Sequence, residues 1–292
     1  MIASGADRGP PDLPHPRSLR VIRSSVTVSL VPEVRGGPFV FWDDLPAACA
    51  KAAALGFDAV EVFPPSADAV DPAHLHKLLD GHGLKLAAVG TGAGWVKGRL
   101  HLCLPDATAR SKARAFVRSI IDFAGPLGAP AIIGSMQGRS GDGVDPATAT
   151  GYLRDALAEL GEYARQYRVP LLFEPINRYE TNMATTVEAG LNLLGPLETT
   201  NLALLCDLFH MNIEEVDIAQ SLILAGKQLG HIHFVDSNRR PAGLGHLDYA
   251  PIVAALGEIG FGGYASAEAL AYPDPDGAAR QTIETFRRLF RK

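Results

Sequence analysis

Short apolar runs rich in β-branched residues alternate with longer helix-like stretches along the chain from residue 20 onward. This alternation gives eight pairs, each consisting of one predicted strand and one predicted helical stretch. The helical stretches include residues 107–127, 146–168 and 249–259. The predicted strands are residues 21–31, 59–63, 85–90, 131–135, 170–174, 202–207, 230–235 and 264–268.

The eight pairs predict a single α/β domain that forms a (β/α)8 TIM barrel. Residues 1–18 contain Pro10, Pro11, Pro14 and Pro16 and are predicted to form a flexible tail, which leaves residues 19–292 for the barrel. Each unit then has roughly 34 residues, a length that suits one strand, one helix and their connections. A change of composition that would mark a second domain does not occur within residues 19–292.

Four of the predicted strands carry polar residues at or near their carboxyl ends. Glu174 ends the fifth strand, Asp207 ends the sixth, His233 lies in the seventh and Glu268 ends the eighth. Strand alternation directs Glu174 to the same side as Leu172, and the same rule applies to the other three positions. Because the four residues are each about one βα unit apart, they are expected to meet at the carboxyl-terminal rim, where barrel enzymes have their active sites.

Three carboxylates and an imidazole at this rim suggest a metal site. Carboxylates packed together raise one another's pKa unless a cation compensates their charge. A site with mostly oxygen ligands and one nitrogen suits Mn²⁺ or Mg²⁺, and also Co²⁺. A lone acid at a strand end is usually a helix cap and a lone histidine is usually a core residue, but four such residues on consecutive strands favour a metal.

Composition narrows the classes of partner. The net charge of −5 provides no basic field for nucleic acid, so a small molecule is the expected ligand. The chain has no signal peptide and no apolar run long enough to span a membrane, so we expect a soluble protein without a membrane partner. Three widely spaced cysteines are typical of reduced thiols in the cytoplasm.

Two glycine-rich segments resemble cofactor motifs only superficially. VGTGAGW (89–95) follows a strand, but its spacing differs from a dinucleotide fingerprint and we expect no helix to open at its last glycine. We therefore predict a loop over the barrel mouth, with the next helix beginning near Pro105. GSMQGRSGDG (134–143) lacks the ending of a phosphate-binding loop and is predicted to be the loop after the fourth strand.

Four sequence blocks resemble one known family. They are EPINRYE (174–180), CDLFHMNIEE (206–215), HIHFVDSNRRPAGLGHLD (231–248) and SAE (266–268). Together they resemble the xylose-isomerase-like TIM barrels, and among these the ketose 3-epimerases of the D-tagatose and D-psicose type, with further similarity to the 5-keto-L-gluconate epimerase branch. The resemblance implies that Glu174, Asp207, His233 and Glu268 bind the metal and that Glu180, His210 and Arg239 contact the substrate. Relatives are commonly homodimers or homotetramers.

The implied reaction inverts the carbon next to the carbonyl of a ketose or keto sugar acid. A metal, with Mn²⁺ expected first, would stabilise the enediolate formed when the C3 proton leaves. Glu174 and Glu268 lie on strands that flank those of Asp207 and His233, so one could remove the proton and the other return it from the opposite face. His231 shares a face with His233 one pleat deeper, which favours a structural or supporting role.

Other functions remain open on the sequence alone. Aldose–ketose isomerases and enzymes that eliminate glycosides from 3-keto sugars use a similar metal site. A retaining glycosidase needs two carboxylates but not Asp207 or His233. A DNA-repair endonuclease would need more histidine ligands and a basic surface. A sugar-binding protein without catalysis would not need the paired glutamates.

Overall fold

The computed structural model describes residues 21–141 and 143–291, and within them eight parallel strands close into a barrel. The predicted tail, residues 1–18, lies outside the described residues. A ninth, two-residue strand, β2, pairs only with β1. The strands are β1 (Arg23–Ser29), β2 (Phe41–Trp42), β3 (Ala59–Phe63), β4 (Lys85–Gly90), β5 (Ala131–Ile133), β6 (Leu171–Phe173), β7 (Leu202–Asp207), β8 (Leu229–His233) and β9 (Tyr264–Ala267).

The barrel closes through β1 and β9. Ser25 of β1 lies in register with Ser266 of β9, and on its other side β1 pairs with β3. Successive strands from β3 to β9 are neighbours and all run parallel. The (β/α)8 fold predicted from the alternation of strands and helices is therefore confirmed.

Helices connect the barrel strands, and most of them begin at an aspartate. Asp71 and Asp145, for example, accept hydrogen bonds from backbone amides of the first turn, and a proline occupies the first helical position after each. The described helices are α1 (Leu45–Leu55), α2 (Pro72–His82), α3 (Ala93–Gly98), α4 (Ala107–Ala124), α5 (Pro146–Ala164), α6 (Val187–Leu194), α7 (Leu208–Glu214), α8 (Ile218–Ala225), α9 (Tyr249–Glu258) and α10 (Pro275–Phe290). None of them combines the length and the apolar character that crossing a membrane requires.

The prediction that residues 89–95 lead into a loop without a helix is wrong. Residues Ala93–Gly98 form α3, which contains Gly94, the last glycine of the segment. A Cβ atom at Gly94 would lie 2.7 Å from Met136 Sδ, so the glycine allows this short helix to pack closely against the neighbouring loop. The glycines thus serve packing, and the segment still lines the barrel mouth through Trp95.

Strand alternation divides the buried residues into an outer and an inner set. Residues such as Val60, Leu204 and Ile232 belong to the large apolar core that the strands share with the helices. The intervening residues face the barrel interior. In β4 to β7 these are apolar and form a small cluster of their own: Ala88, Ile132, Leu172 and Leu205.

In β1, β3, β8 and β9 the inward residues are mostly polar. They include Ser25, Glu61, His231 and Ser266, all almost completely buried. The barrel interior therefore has an apolar half and a polar half, and the polar half lies beneath part of the rim that carries the predicted site.

Candidate metal centre and active site

The structure brings the four predicted metal ligands together at the carboxyl-terminal rim. Glu174 follows β6, Asp207 ends β7, His233 ends β8 and Glu268 follows β9. One ligand atom from each residue lies within 4.8 Å of the other three, and all four side chains are buried. The convergence predicted from strand alternation is thus present in the fold.

The Nδ1 atom of His233 lies at the centre of the cluster. It is 3.3 Å from Glu174 Oε1, 3.3 Å from Asp207 Oδ2 and 3.6 Å from Glu268 Oε2. The three carboxylates therefore surround one ring nitrogen, and each directs an oxygen towards the same small volume.

Burial and mutual proximity shift the pKa values of this cluster. Burial raises the pKa of Glu268 to about 8; His233 and Arg239 oppose the rise, and Glu174 and Asp207 add to it. Burial would also raise the pKa of Asp207, but His210 and His233 outweigh it and lower that pKa. The pKa of His233 is raised well above its usual value, since Glu268 and Glu61 outweigh the opposing effect of burial.

These residues fit a divalent cation. Full ionisation of three buried carboxyl groups at such short range requires a compensating positive charge, as the raised pKa of Glu268 shows. The donor set of three carboxylates and one imidazole suits a hard or borderline ion and includes no thiolate. The described residues at the rim therefore form a candidate metal centre.

The start of α7 positions both Asp207 and His210. Asp207 caps this helix, because its Oδ1 accepts a hydrogen bond of 2.7 Å from the Phe209 amide, which leaves Oδ2 directed towards His233. One turn later, the buried His210 has its Nε2 3.8 Å from Asp207 Oδ2. Its Nδ1 lies 2.7 Å from Asn177 Nδ2, so the imidazole is held from both sides beside the cluster.

Arg239 links two of the predicted residues across the site. Its Nη2 donates to Glu268 Oε2 at 3.1 Å and its Nη1 donates to Glu180 Oε1 at 3.3 Å, while the guanidinium lies over the Phe209 ring. Arg239 has a positive φ of 60°, in a tight loop organised by the buried Asp236. The loop therefore holds the guanidinium above the metal cluster.

Close backbone packing fixes the end of β6. A Cβ atom at Gly134 would lie 2.3 Å from Glu174 Oε2, so a larger residue there would displace this carboxylate from its present position. The buried Gln137 donates to the Glu174 carbonyl at 2.9 Å and accepts a bond from the Ala184 amide. Gly134 and Gln137, which lie in the segment predicted as the loop after the fourth strand, thus shape the site directly.

A cavity of about 680 Å³ opens above the cluster. Glu174 and Glu268 line it, whereas Asp207 and His233 do not; all three predicted substrate contacts, Glu180, His210 and Arg239, also line it. Residues of the segments 34–39 and 90–96 also line it, among them Phe39 and Trp95. The size suits a small organic ligand.

Glu61 contacts the site but was not among the residues predicted from the sequence. This residue of β3 is fully buried, with Oε1 3.1 Å from His233 Nε2 and Oε2 2.7 Å from His231 Nε2. The supporting position predicted for His231 agrees with this geometry. An acid between Val60 and Val62 in a buried strand was the available signal, because strands buried on both faces are usually apolar throughout.

The sequence is similar to one known family and to several of its members. A family model described as "Xylose isomerase-like TIM barrel" matches residues 49–289. The chain belongs to the xylose isomerase-like TIM barrel family. It is 29% identical to L-ribulose 3-epimerase of Methylomonas sp. strain DH-1 over 83% of this chain and 84% of that protein. It is 30% identical to D-psicose 3-epimerase of Agrobacterium fabrum strain C58, covering 73% of this chain and 75% of the relative.

The fold comparison agrees with the family assignment. The crystal structure of D-allulose 3-epimerase from Methylomonas sp. superposes with a TM-score of 0.77 at 24% identity, covering 92% of this chain and 98% of that one. The predicted resemblance to the ketose 3-epimerases is therefore confirmed, and this family member is an enzyme of the isomerase class.

Proposed function

We propose that the protein is a metal-dependent 3-epimerase of a ketose or keto sugar acid. The observation that carries this proposal is that the two glutamates of the cluster line the cavity, whereas Asp207 and His233 lie behind them. The family members named above are 3-epimerases of sugars, which supports the same reaction class.

The two glutamates are suited to act on opposite faces of a substrate carbon. Glu174 follows β6 and Glu268 follows β9, with β7 and β8 between them. In our mechanism one carboxylate takes the C3 proton and the C–H electron pair passes into the neighbouring carbonyl. The other carboxyl group then delivers a proton to the opposite face of C3, and the carbonyl re-forms. Exchange with solvent restores the starting protonation of both groups.

A divalent cation at the cluster, with Mn²⁺ first and Mg²⁺ or Co²⁺ as alternatives, would stabilise the negative charge that develops on the substrate oxygens. Arg239, His210 and Glu180 surround the same end of the cavity. The guanidinium and the imidazole are suited to hold carbonyl and hydroxyl oxygens through charge-assisted hydrogen bonds. Glu180, which already accepts a bond from Asn177, can accept another from a substrate hydroxyl.

Incubation of the Mn²⁺-loaded protein with free ketoses and keto sugar acids, followed by chromatographic identification of the product, tests the proposal. We expect the C3 epimer of at least one substrate, with no product from protein that has been heated. An aldose product would instead support an aldose–ketose isomerase, and cleavage of a 3-keto glycoside would support an eliminase. Sugar binding without turnover of any member of the panel would contradict the proposal.

Three further predictions accompany the proposed function. We expect a homodimer or homotetramer, which light scattering of the purified protein can measure. We expect no binding to nucleic acid, because the net charge is negative. A cytoplasmic location is consistent with the three cysteines, which are free and buried.

A further inference from the structure

Glu61 contacts the candidate metal centre from the barrel interior, through His233. Its strand, β3, is not a neighbour of β8, since β1 and β9 lie between them in the barrel. Glu61 can therefore reach His231 and His233 only across the barrel interior. All three side chains are almost completely buried, and none of them lines the cavity, so they do not touch substrate.

We propose that Glu61 is a positioning residue that makes Nδ1 the metal-ligating atom of His233. A neutral imidazole has one N–H donor and one lone pair, and the hydrogen bond at one nitrogen decides which nitrogen can ligate. Glu61 Oε1 lies 3.1 Å from His233 Nε2 and, as a carboxylate, can only accept. When a cation occupies the cluster and His233 is neutral, the proton therefore belongs on Nε2, and the lone pair on Nδ1 faces the same volume as Glu174, Asp207 and Glu268.

His231 lies against the other oxygen of Glu61. Its Nε2 is 2.7 Å from that oxygen, an ion-pair contact without hydrogen-bond geometry, so the carboxylate lies between two imidazoles. Among the described residues, Glu61 is the one side chain within hydrogen-bonding distance of His233 Nε2. Partners of this kind typically change metal affinity by about 10–100-fold when they are mutated.

Glu61→Gln is the sharpest substitution because it keeps the shape of the side chain. A glutamine has one acceptor and one donor group, so it cannot accept from both imidazoles as the carboxylate can. One histidine must then change its tautomer or lose its partner. We expect the Kd for Mn²⁺ to rise by about 10–100-fold.

The experiment titrates Mn²⁺ into the full-length, metal-free protein by calorimetry, without any sugar. Glu159→Gln is the matched control, because it makes the same chemical change elsewhere. Glu159 pairs with Arg114 and Arg118 on the outside of the barrel. Leu75→Ala, in the outer core, controls for lost stability. Both controls should bind Mn²⁺ like the wild type. An unchanged Kd for Glu61→Gln, or an equal loss in Leu75→Ala, would overturn the proposal.

A second measurement does not depend on folding of the variant. In Mg²⁺-loaded wild-type protein with nitrogen-15 histidine, long-range nitrogen–proton correlation spectra distinguish the two tautomers. We expect a proton on Nε2 of His233 and none on Nδ1; a protonated Nδ1 would contradict the proposal. The inference rests on the metal centre of the proposed function but not on its reaction, so failure of the epimerase assay leaves both measurements decisive.

Discussion

The two halves of the barrel interior use the same backbone geometry for different purposes. Leu205 of β7 and His231 of β8 are paired in register, yet the leucine belongs to an apolar cluster and the histidine contacts a buried carboxylate. At the rim above them, Asp207 and His233 are also paired, and both belong to the candidate metal centre.

The difference follows the chemistry of the predicted ligands above. A predicted carboxylate ligand such as Glu174 or Asp207 leaves no ring nitrogen to satisfy below it, so an apolar residue can fill the next inward position. An imidazole ligand has a second nitrogen that needs a partner, and in this barrel Glu61 supplies it. The polar half thus serves the site, whereas the apolar half supplies packing.

Among the changes that affect the polar half, removal of the metal should lower turnover the most. Arg239, which pairs with Glu268, does not balance the combined charge of the three carboxylates, and the proposed reaction relies on a cation to stabilise the negative charge on the substrate. We expect exhaustive chelation to abolish turnover and Mn²⁺ or Co²⁺ to restore it, as measured by product formation alongside elemental analysis. Full activity of protein with verified absence of metal would contradict this prediction.

Substitution of either cavity-lining glutamate should have the next largest effect. We expect Glu174→Gln and Glu268→Gln each to lower kcat by at least ~10²-fold, because a positioned proton-transfer group contributes on that scale. The metal content of each variant should be measured, so that loss of the base is separated from loss of the ion. Epimerisation near the wild-type rate at equal metal content would remove that glutamate from the mechanism.

Substitutions of Arg239 test whether this residue contacts the substrate in the cavity above the polar half. Arg239→Ala should lower kcat/KM by about 10–100-fold, since a hydrogen bond to a charged group contributes about 1.5–3 kcal/mol. Its Mn²⁺ affinity should remain close to that of the wild type. Arg239→Lys should restore activity only in part, because one ammonium cannot reproduce the two-oxygen contact of a guanidinium.

The matched control is Arg240→Ala. Arg240 stacks on Tyr272 outside the cavity, so we expect little change in kcat/KM. Equal values for both alanine variants on neutral and acidic ketoses would show that Arg239 does not contact the sugar.

The apolar half should show the smallest effect on catalysis. Leu205→Ala removes a fully buried side chain and should lower the free energy of unfolding by about 2–5 kcal/mol, as measured by urea denaturation. Because Leu205 belongs to the inner apolar cluster and is not one of the predicted ligands, the Kd for Mn²⁺ should stay near the wild-type value. A large loss of metal affinity in the folded variant would mean that the two halves are not independent.

Local patterns predicted the barrel and its rim because strand alternation is a short-range property. The apolar runs gave the eight barrel strands, and the same period directed Glu174, Asp207, His233 and Glu268 to one side. Their meeting point followed from the parallel order of the strands. The roles of Glu180, His210 and Arg239 came from the family resemblance and stay predictions, although all three line the cavity.

Features that depend on distant contacts were harder to predict. Glu61 lies 172 positions before His233, and one acid within a strand does not name its partner. Nothing in the sequence around Gln137 indicates that its side chain donates a hydrogen bond to the Glu174 carbonyl. The helix α3 was missed because glycine usually disfavours helices, and here packing against Met136 outweighs that preference.

The position of deuterium after turnover in D₂O tests the central claim most directly. The Mn²⁺-loaded enzyme is incubated with the ketose or keto sugar acid that it converts, the ion is removed, and the sugars are examined by NMR. Because Glu174 and Glu268 exchange protons with solvent, our account predicts deuterium at C3 of the epimerised sugar and none at C1. Deuterium at C1, or a C3 epimer that contains no deuterium at C3, would contradict it.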